Sequence, residues 1–439
     1  MPRRWIDSLD PRGLSHRALK HLMDMPTSRR GAHLTRSGRR LALGGGPMAR
    51  FAHRRVEAVV ARIDTGLASG SLDATLPDGR WVMLGGRTPG AAAAIVLDNW
   101  MPVVRLMRSG SAGFARAYFD GHWTSPDPTA IFELFVANRA TLGSTARAGG
   151  ATRLVNRLVR AVDERLHRRR NIAFHYDLGN DFYAAWLDPG MTYSSALFDG
   201  TEDLEAAQTA KIRALLDAVG VRPGDRLLDI GCGWGGLAEI AVRDYGATVH
   251  GITLSVAQLD YARARVPEAS FGLTDYRAVT GTYDHVVSVE MLEAVGERHW
   301  GIFMEVVRRV VRPGGRAGLQ VITIADDVFD AYRASTDFIQ AYVFPGGMLP
   351  SPSRLRAAAE GAGLTWGRER WFGADYARTL ALWRACFDAA VADGRLPPGF
   401  DDRFIALWRY YLMYCEGGFR GGGLDVVQVV LTTAAPRSG

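Results

Sequence analysis

An acidic residue and three glycines stand at a spacing that suits the binding of a small charged molecule. Residues 227–242 read LLDIGCGWGGLAEIAV, so Asp229 closes an apolar stretch and Gly231, Gly233 and Gly235 follow at alternate positions. Glycines at such a strand-to-helix turn allow the backbone to approach a ligand that side chains would keep away. A carboxylate two residues before the first glycine suits an ammonium group of a ligand. This favours a ligand with a zwitterionic amino-acid end, which does not require the pyrophosphate-binding loop of a dinucleotide site.

The D-x-G-x-G-x-G pattern resembles motif I of the class I S-adenosylmethionine (SAM) methyltransferases. A G-x-G-x-x-G pattern alone would be weak evidence, and the preceding acid favours SAM over NAD. The next apolar stretch, 248–254, carries Thr253 where an acid that grips the ribose is usual. The loop 273–277, LTDYR, stands where such enzymes hold the adenine.

The elements that must position this loop follow a strand–helix alternation. Apolar stretches at 226–231, 248–254, 285–291 and 315–324 are separated by helical patterns. This alternation predicts the α/β class, with a doubly wound, mainly parallel sheet. We therefore expect a Rossmann-like sheet of the class I methyltransferase type.

The chain divides into four predicted parts. We expect a basic leader at 1–45, a smaller N-terminal α/β domain that binds lipid or membrane at 46–150, an amphipathic basic linker helix at 151–170 and the catalytic domain at 171–439. The linker alternates apolar residues with arginines at helical spacing, which suits an anionic lipid interface. A helix packed on its neighbour is an equally good interpretation of the same pattern.

Charge is distributed unevenly along the chain. Residues 1–170 hold 28 basic and 13 acidic residues, whereas residues 171–439 hold 25 basic and 33 acidic ones. Only Lys20 and Lys211 are lysines; the other bases are arginines. A basic half predicts an anionic partner, either nucleic acid or a membrane. Because no nucleic-acid reader motif is present, we expect an anionic phospholipid membrane and no nucleic acid.

Composition and cysteine spacing restrict the class of protein. The 439 residues are 47% hydrophobic and 23% charged, which is typical of a globular protein and argues against wholesale disorder. No apolar run approaches the roughly 20 residues of a spanning helix. The cysteines at 232, 386 and 415 show neither zinc spacing nor a disulfide pattern. We expect a cytoplasmic protein, peripheral on the inner face of the cell membrane, without a metal.

Five ordered blocks resemble the cyclopropane-fatty-acyl-phospholipid synthase family, which is related to the mycolic acid cyclopropane synthases. They lie at 174–198, 228–238, 251–258, 287–296 and 342–351, and the first includes HYDLGNDFY and the last FPGGMLPS. The resemblance implies SAM-dependent transfer of a methyl or methylene group to the cis double bond of an unsaturated acyl chain in a membrane phospholipid. The implied product is a cyclopropane fatty acid. A homodimer is common in the family and stays open here.

The resemblance also implies which residues contact each cofactor. The expected SAM contacts are Tyr193, Ser194, Asp229, Gly231, Cys232, Gly233, Trp234, Gly235, Thr253, Leu254, Gln258, Asp275 and Tyr276. A bound bicarbonate is expected to remove a proton after methyl transfer. Its expected contacts are Ser195, Glu293, Gln320, Ile322 and Tyr342, with Ile322 contributing backbone.

Departures from the family pattern bear on the product. Ser195 stands where many members have Cys, and Gln320 where many have His; a glutamine donates hydrogen bonds but does not titrate. Ala294 replaces a common His beside Glu293, and Glu290 adds a carboxylate nearby. These changes leave methyl transfer intact, and they open a methylene- or methyl-branched chain as an alternative product. A catalytically inactive lipid-binding protein is the alternative of another class, and the intact glycine loop argues against it.

Overall fold

The computed structural model describes residues 48–143 and 178–433, with side chains from residue 57 onward. The predicted leader at 1–45 and the predicted linker helix at 151–170 lie outside the described residues. The boundary between the two predicted domains lies there too and stays a prediction.

A small mixed sheet forms the N-terminal unit. Its elements are α1 (Met48–Gly66), β1 (Ser71–Thr75), β2 (Trp81–Gly85), β3 (Ala92–Leu97), α2 (Met101–Phe119), β4 (Trp123–Thr124), α3 (Pro128–Ala137) and α4 (Arg139–Leu142). The strand order is β2-β1-β3-β4, with β1 and β3 parallel and the other pairs antiparallel. Burial alternates along β1, as the period of a half-buried strand requires, so one face of the sheet packs inward and the other faces outward.

A seven-stranded sheet forms the larger unit. Its elements are α5 (Asn180–Ala184), α6 (Leu204–Val219), β5 (Arg226–Ile230), α7 (Gly236–Tyr245), β6 (Thr248–Thr253), α8 (Val256–Arg265), β7 (Ser270–Leu273), β8 (Tyr283–Val289), α9 (Leu292–Val295), α10 (Trp300–Val310), β9 (Val311–Ile324), α11 (Asp326–Arg333), α12 (Pro352–Gly361), β10 (Leu364–Trp371), α13 (Gly373–Ala392), α14 (Asp402–Arg420) and β11 (Leu424–Thr433). One π-helical turn, Ile339–Val343, follows α11.

The strand order is β10-β11-β9-β8-β5-β6-β7. Strands β5 to β9 are parallel, which confirms the predicted doubly wound sheet. Strand β11 runs antiparallel to both β9 and β10, an arrangement that the apolar pattern did not predict. The chain order reverses on the two sides of β5, and ligands of such sheets bind at the carboxyl ends of the strands beside this switch point.

The two units share one hydrophobic core. Helix α14 packs against α3, and Tyr410 of α14 meets the rings of Phe132 and Trp123. Gly417 of α14 lies so close to α3 that an added Cβ would stand 2.8 Å from the carbonyl oxygen of Thr129. Among the residues that the structure describes, no helix is both long enough and apolar enough to cross a membrane.

We predict that Gly417→Ala lowers the free energy of unfolding by about 1–3 kcal/mol, because its methyl group would overpack the contact between α14 and α3. Gly301→Ala is the matched control: Gly301 also lies in a helix, but a Cβ there meets open space. Denaturant unfolding measures both. A control as destabilised as Gly417→Ala would contradict the packing argument.

Candidate active site

The glycine loop after β5 has the geometry that its sequence predicts. Gly231, Gly233 and Gly235 have φ angles of 85°, 53° and 84°, in the left-handed region that favours glycine. A Cβ on Gly231 would stand 2.9 Å from the side chain of Met291, whereas a Cβ on Gly233 would meet open space. Helix α7 begins directly after the loop, so its backbone can approach a ligand at the sheet edge.

Asp229 lies near the end of β5, directly before this loop. Its side chain is buried, and its Oδ2 atom has no hydrogen-bond partner among the described residues. Burial raises the pKa of Asp229 to about 7, although the Lys211 ammonium opposes the shift. A ligand ammonium would supply the missing partner and favour the ionised carboxylate, so this buried oxygen fits the amino-acid end of SAM.

The expected ribose and adenine contacts lie at the ends of the next two strands. Thr253, the last residue of β6, donates its hydroxyl to Oε1 of Gln258 at 2.8 Å, which fixes the glutamine against the strand. Leu254 and Leu273 are partly exposed after β6 and at the end of β7, respectively. These apolar side chains at one edge of the sheet suit a planar base.

The predicted adenine loop forms a tight turn. The carboxylate of Asp275 accepts hydrogen bonds from the backbone N–H and the guanidinium of Arg277, capping the 3-10 turn Tyr276–Ala278. The ring of Tyr276 packs against Phe303. The turn is therefore rigid and lies at the β7 edge of the sheet.

Trp234 ties the glycine loop to the segment that precedes the sheet. Its indole N–H donates to Oδ1 of Asn180 at 2.8 Å, and the Asn180 amide donates in turn to the carbonyl of Ala257. Burial raises the pKa of the Cys232 thiol, so this cysteine is an inert packing residue. Residue Asn180 has a positioning role that the sequence analysis missed, although it lies in the HYDLGNDFY block.

Lys211 is a buried cation at the centre of the site. Its Nζ atom donates to the Oγ atom of Ser194 at 2.5 Å. Burial lowers the pKa of Lys211 to about 8, and the nearby carboxylates of Glu290, Asp188 and Asp229 oppose this shift. The sequence analysis did not assign Lys211 to the site, although a lone lysine in an arginine-rich catalytic half was a visible signal.

The carboxylate of Glu290 accepts hydrogen bonds from three fixed donors. Its Oε1 atom lies 2.9 Å from the backbone N of Ser195 and 2.8 Å from Nε2 of Gln320. Its Oε2 atom accepts from the hydroxyl of Tyr376 at 2.7 Å. Burial raises the pKa of Glu290, and the Lys211 ammonium and these three donors oppose that shift. The sequence analysis did not assign Tyr376 to the site.

The orientation of Gln320 follows from its neighbour in the sheet. Gln320 and Gln428 are paired residues of β9 and β11, and Nε2 of Gln428 donates to Oε1 of Gln320 at 3.0 Å. The Gln320 amide nitrogen must therefore point towards Glu290, where it donates. Burial of both glutamines makes this arrangement rigid.

Glu293 behaves differently from Glu290. Its Oε1 atom accepts from the backbone N–H of Ile322 at 2.5 Å, while Oε2 is buried without a hydrogen-bond partner among the described residues. Burial and the negative charge of Glu290 raise the pKa of Glu293 to about 8. Burial raises the pKa of both carboxyl groups, but hydrogen bonds and the Lys211 ammonium oppose the shift at Glu290, whereas the charge of Glu290 adds to it at Glu293.

Three of the donors expected to hold bicarbonate already have other partners. The Ser195 amide and the Gln320 side chain both donate to Glu290, and the Ile322 amide donates to Glu293. A second anion at this position would lack these donors and would meet the charge of Glu290. The residues therefore do not fit a bound bicarbonate, and this departs from the sequence expectation.

Aromatic side chains line the region beside these carboxyl groups. The Tyr193 hydroxyl lies 2.8 Å from that of Tyr411, and its ring packs against Trp383. Tyr342 lies in the π-helical turn and packs against Phe119 of α2 and Phe338. Tyr342 thus borders the N-terminal unit.

Known proteins share both the sequence and the fold. The sequence model of the mycolic acid cyclopropane synthetase family matches residues 163–429. This chain belongs to that family. It is 40% identical to the tuberculostearic acid methyltransferase of Mycobacterium tuberculosis, over 76% of this chain and 81% of that protein. It is 34% identical to the cyclopropane-fatty-acyl-phospholipid synthase of Escherichia coli, over 75% and 85%.

A solved structure of a mycolic acid cyclopropane synthase, complexed with S-adenosylhomocysteine (SAH) and CTAB, is 31% identical. The match covers 60% of this chain and 97% of the solved chain, with a TM-score of 0.56. The chain is thus a SAM-dependent methyltransferase of the cyclopropane synthase type. When bound, SAM supplies the methyl group, and Asp229 and the glycine loop are the residues that fit it.

We predict that SAM binding to this methyltransferase weakens as the pH falls below about 7, by up to about tenfold per pH unit. Below its pKa the Asp229 carboxyl is neutral, so binding an ammonium group requires loss of a proton. Calorimetry between pH 5.5 and 8 measures the affinity. The loss of one proton on binding can change the affinity by at most roughly tenfold per pH unit.

Asp229→Asn should bind SAM more weakly and lose this pH dependence. Asp244→Asn is the control, because the exposed Asp244 pairs with Arg213 and Arg243 at the surface. It should keep the wild-type pH profile. If the affinity of the wild-type protein for SAM were constant over this pH range, Asp229 would not form an ion pair with the ammonium group of SAM.

Proposed function

We propose that this enzyme methylates the cis double bond of an unsaturated acyl chain in a membrane phospholipid, at the inner face of the cell membrane. One observation carries the proposal: a pair of partly buried carboxyl groups, Glu290 and Glu293, lies beside the SAM loop and an aromatic wall. This combination suits a reaction that passes through a carbocation, because negative charge and aromatic faces both stabilise a cation away from water.

The chemistry explains why such a site is needed. An isolated alkene is a poor nucleophile, so it must be held in line with the methyl group that it attacks. The π electrons of the alkene form the new bond to carbon, and the sulfur keeps the electron pair of the broken bond. The neighbouring carbon becomes cationic, and a base must remove one proton to complete the reaction.

The position of the cation when that proton leaves decides the product. A cyclopropane ring closes if the new methyl group loses a proton while the cation stays on the neighbouring carbon. A methylene branch forms if a hydride first shifts onto that carbon and the methyl group then loses its proton. Both products carry one additional methylene group and have the same mass.

The family favours the ring, and the site gives a reason to consider the branch as a second candidate. Burial raises the pKa of Glu290, and three hydrogen bonds to its carboxylate oppose that rise. A carboxylate held in this way is a weaker base than a free one in the same buried place, so deprotonation is slower and the cation has longer to rearrange. The relatives also differ in the product for which they are named. The protein with 40% identity is a tuberculostearic acid methyltransferase, and the one with 34% identity is a cyclopropane-fatty-acyl-phospholipid synthase.

We predict that expression in a host without its own cyclopropane synthase yields phospholipid acyl chains one methylene group heavier than their unsaturated precursors. Mass spectrometry detects them, and NMR distinguishes a ring from a methylene branch. Gly231→Val is the matched control: a β-branched residue at a φ of 85°, against Met291, should abolish SAM binding and the product. A wild-type protein that binds SAM and forms no heavier chains would contradict the proposed function.

The outward face of the small sheet supports contact with a lipid surface. Trp81, Met83 and Val96 are 62%, 54% and 40% exposed. Thr75 of β1 pairs with both Trp81 and Val96, so Trp81 and Val96 lie in one row across the face, and Met83, two residues after Trp81, lies on the same face. An exposed tryptophan beside other apolar side chains suits a membrane interface, because its ring packs in the apolar layer while its N–H donates a hydrogen bond to the polar one. We propose that this face docks on the phospholipid bilayer.

We predict that the double variant Trp81→Ala/Met83→Ala binds anionic phospholipid vesicles several-fold more weakly, because it removes the largest exposed apolar groups of this face. Raised salt should weaken binding of the wild-type protein further, since the basic half contributes electrostatically. Cosedimentation with vesicles measures both effects. Trp371→Ala is the control, because Trp371 is also exposed but lies on β10 of the larger sheet. An equal loss in the control would argue against a defined docking face.

A further inference from the structure

We propose that Glu290 is a catalytic residue of this methyltransferase, a carboxylate built into the chain that takes the position of a soluble base. The inference rests on the proposed methylation of an alkene and deepens it. It follows that turnover needs no bicarbonate. Three donors from separate segments of the chain surround the Glu290 carboxylate.

The donors around Glu290 form a complete anion-binding site. The Ser195 amide and the Gln320 amide hold Oε1, and the Tyr376 hydroxyl holds Oε2. These three groups come from the segment before α6, from β9 and from α13, so the tertiary structure gathers them at one point. A soluble anion at this place would require the same donors, and the side chain of Glu290 already uses them.

The backbone of Glu290 is held in an unusual conformation that aims the side chain. Its φ angle is 51°, a left-handed value that only Met191 shares among the described non-glycine residues. The Glu290 N–H donates to the carbonyl of Gln320 at 2.8 Å, which fixes this turn at the end of β8. Strained residues of this kind persist where the surrounding structure over-determines them, and they cluster at active sites.

The charge balance separates the roles of the two glutamates. Burial raises the pKa of both groups, but the Lys211 ammonium and the three donors oppose the shift at Glu290, whereas the charge of Glu290 adds to it at Glu293, which is held at Oε1 by one amide. Glu290 is therefore the group that the structure better holds as a carboxylate able to accept a proton. Glu290 Oε2, which has a single hydrogen-bond donor, is the oxygen with a lone pair to spare.

The step balances without any further reactant. A C–H bond of the new methyl group breaks, and its electron pair forms the bond to the cationic carbon. That bond closes a ring, or becomes the second bond of a methylene group after a hydride shift. The proton passes to Oε2 of Glu290. It leaves the site before the next turnover, so each cycle releases one proton together with SAH.

Two variants separate a catalytic role from a structural one. Glu290→Gln keeps the shape and removes the base. Glu290→Gly relieves the left-handed φ and leaves the donors of Ser195, Gln320 and Tyr376 facing an empty space the size of a carboxylate. Glu305→Gln is the control, because Glu305 is an exposed acid on α10. Thermal unfolding and SAM calorimetry establish that each variant is folded and binds its cofactor.

The assay uses the full chain with SAM and vesicles of an unsaturated phospholipid, in buffer freed of carbon dioxide, with and without added bicarbonate or formate. We expect the wild-type rate to change less than about twofold when bicarbonate is removed. The methylation rate of Glu290→Gln should be lower than that of the wild-type protein by about 100-fold or more, the usual contribution of a positioned general base. The rate of Glu290→Gly should fall as much, and formate or bicarbonate should restore part of it.

The possible failures are distinguishable. A wild-type protein that forms no product even with bicarbonate would contradict the proposed function itself. A wild-type protein that forms product only with bicarbonate would overturn the role of Glu290. The same holds if Glu290→Gln keeps its rate, or if neither anion restores Glu290→Gly while SAM binding is intact.

Discussion

The buried ammonium of Lys211 is the interaction on which the active site depends. Its Nζ binds Ser194, and it is the nearby positive charge for Asp188, Asp229 and Glu290. Removal of this cation would leave several carboxyl groups buried without compensation, which is strongly destabilising. One lysine therefore allows the cofactor loop, through Asp229, and the anion site, through Glu290, to lie side by side in a dry interior.

An aromatic core connects the active site to the N-terminal unit. Rings from α2, α3 and α14 meet around Tyr410, and the π-helical turn that carries Tyr342 packs on the same cluster. The outward face with Trp81 and the catalytic sheet are thus parts of one packed body. A lipid surface contacted at that face would lie at a fixed orientation relative to the site, which a flexible tether would not provide.

Two neighbouring glutamates in different environments give the site its chemical asymmetry. Burial raises the pKa of both; donors and Lys211 oppose the shift at Glu290, while the charge of Glu290 adds to it at Glu293. The same asymmetry bears on the product, since a hydrogen-bonded base removes its proton more slowly than a free one. The choice between ring and branch is therefore a matter of how long the cation persists.

The sequence alone determined the family, the parallel sheet and the glycine loop, because strand periodicity and the D-x-G-x-G-x-G spacing are local properties. It placed Ser195, Gln320 and Glu293 near one another through resemblance, yet it assigned their hydrogen bonds to a separate anion. It also missed Lys211 and Tyr376, which lie on helices far apart in the chain and look like ordinary helix residues. Only the tertiary structure decided that Glu290 receives these donors, because the contact depends on the pairing of β9 with β11, on the turn after β8 and on the packing of α13.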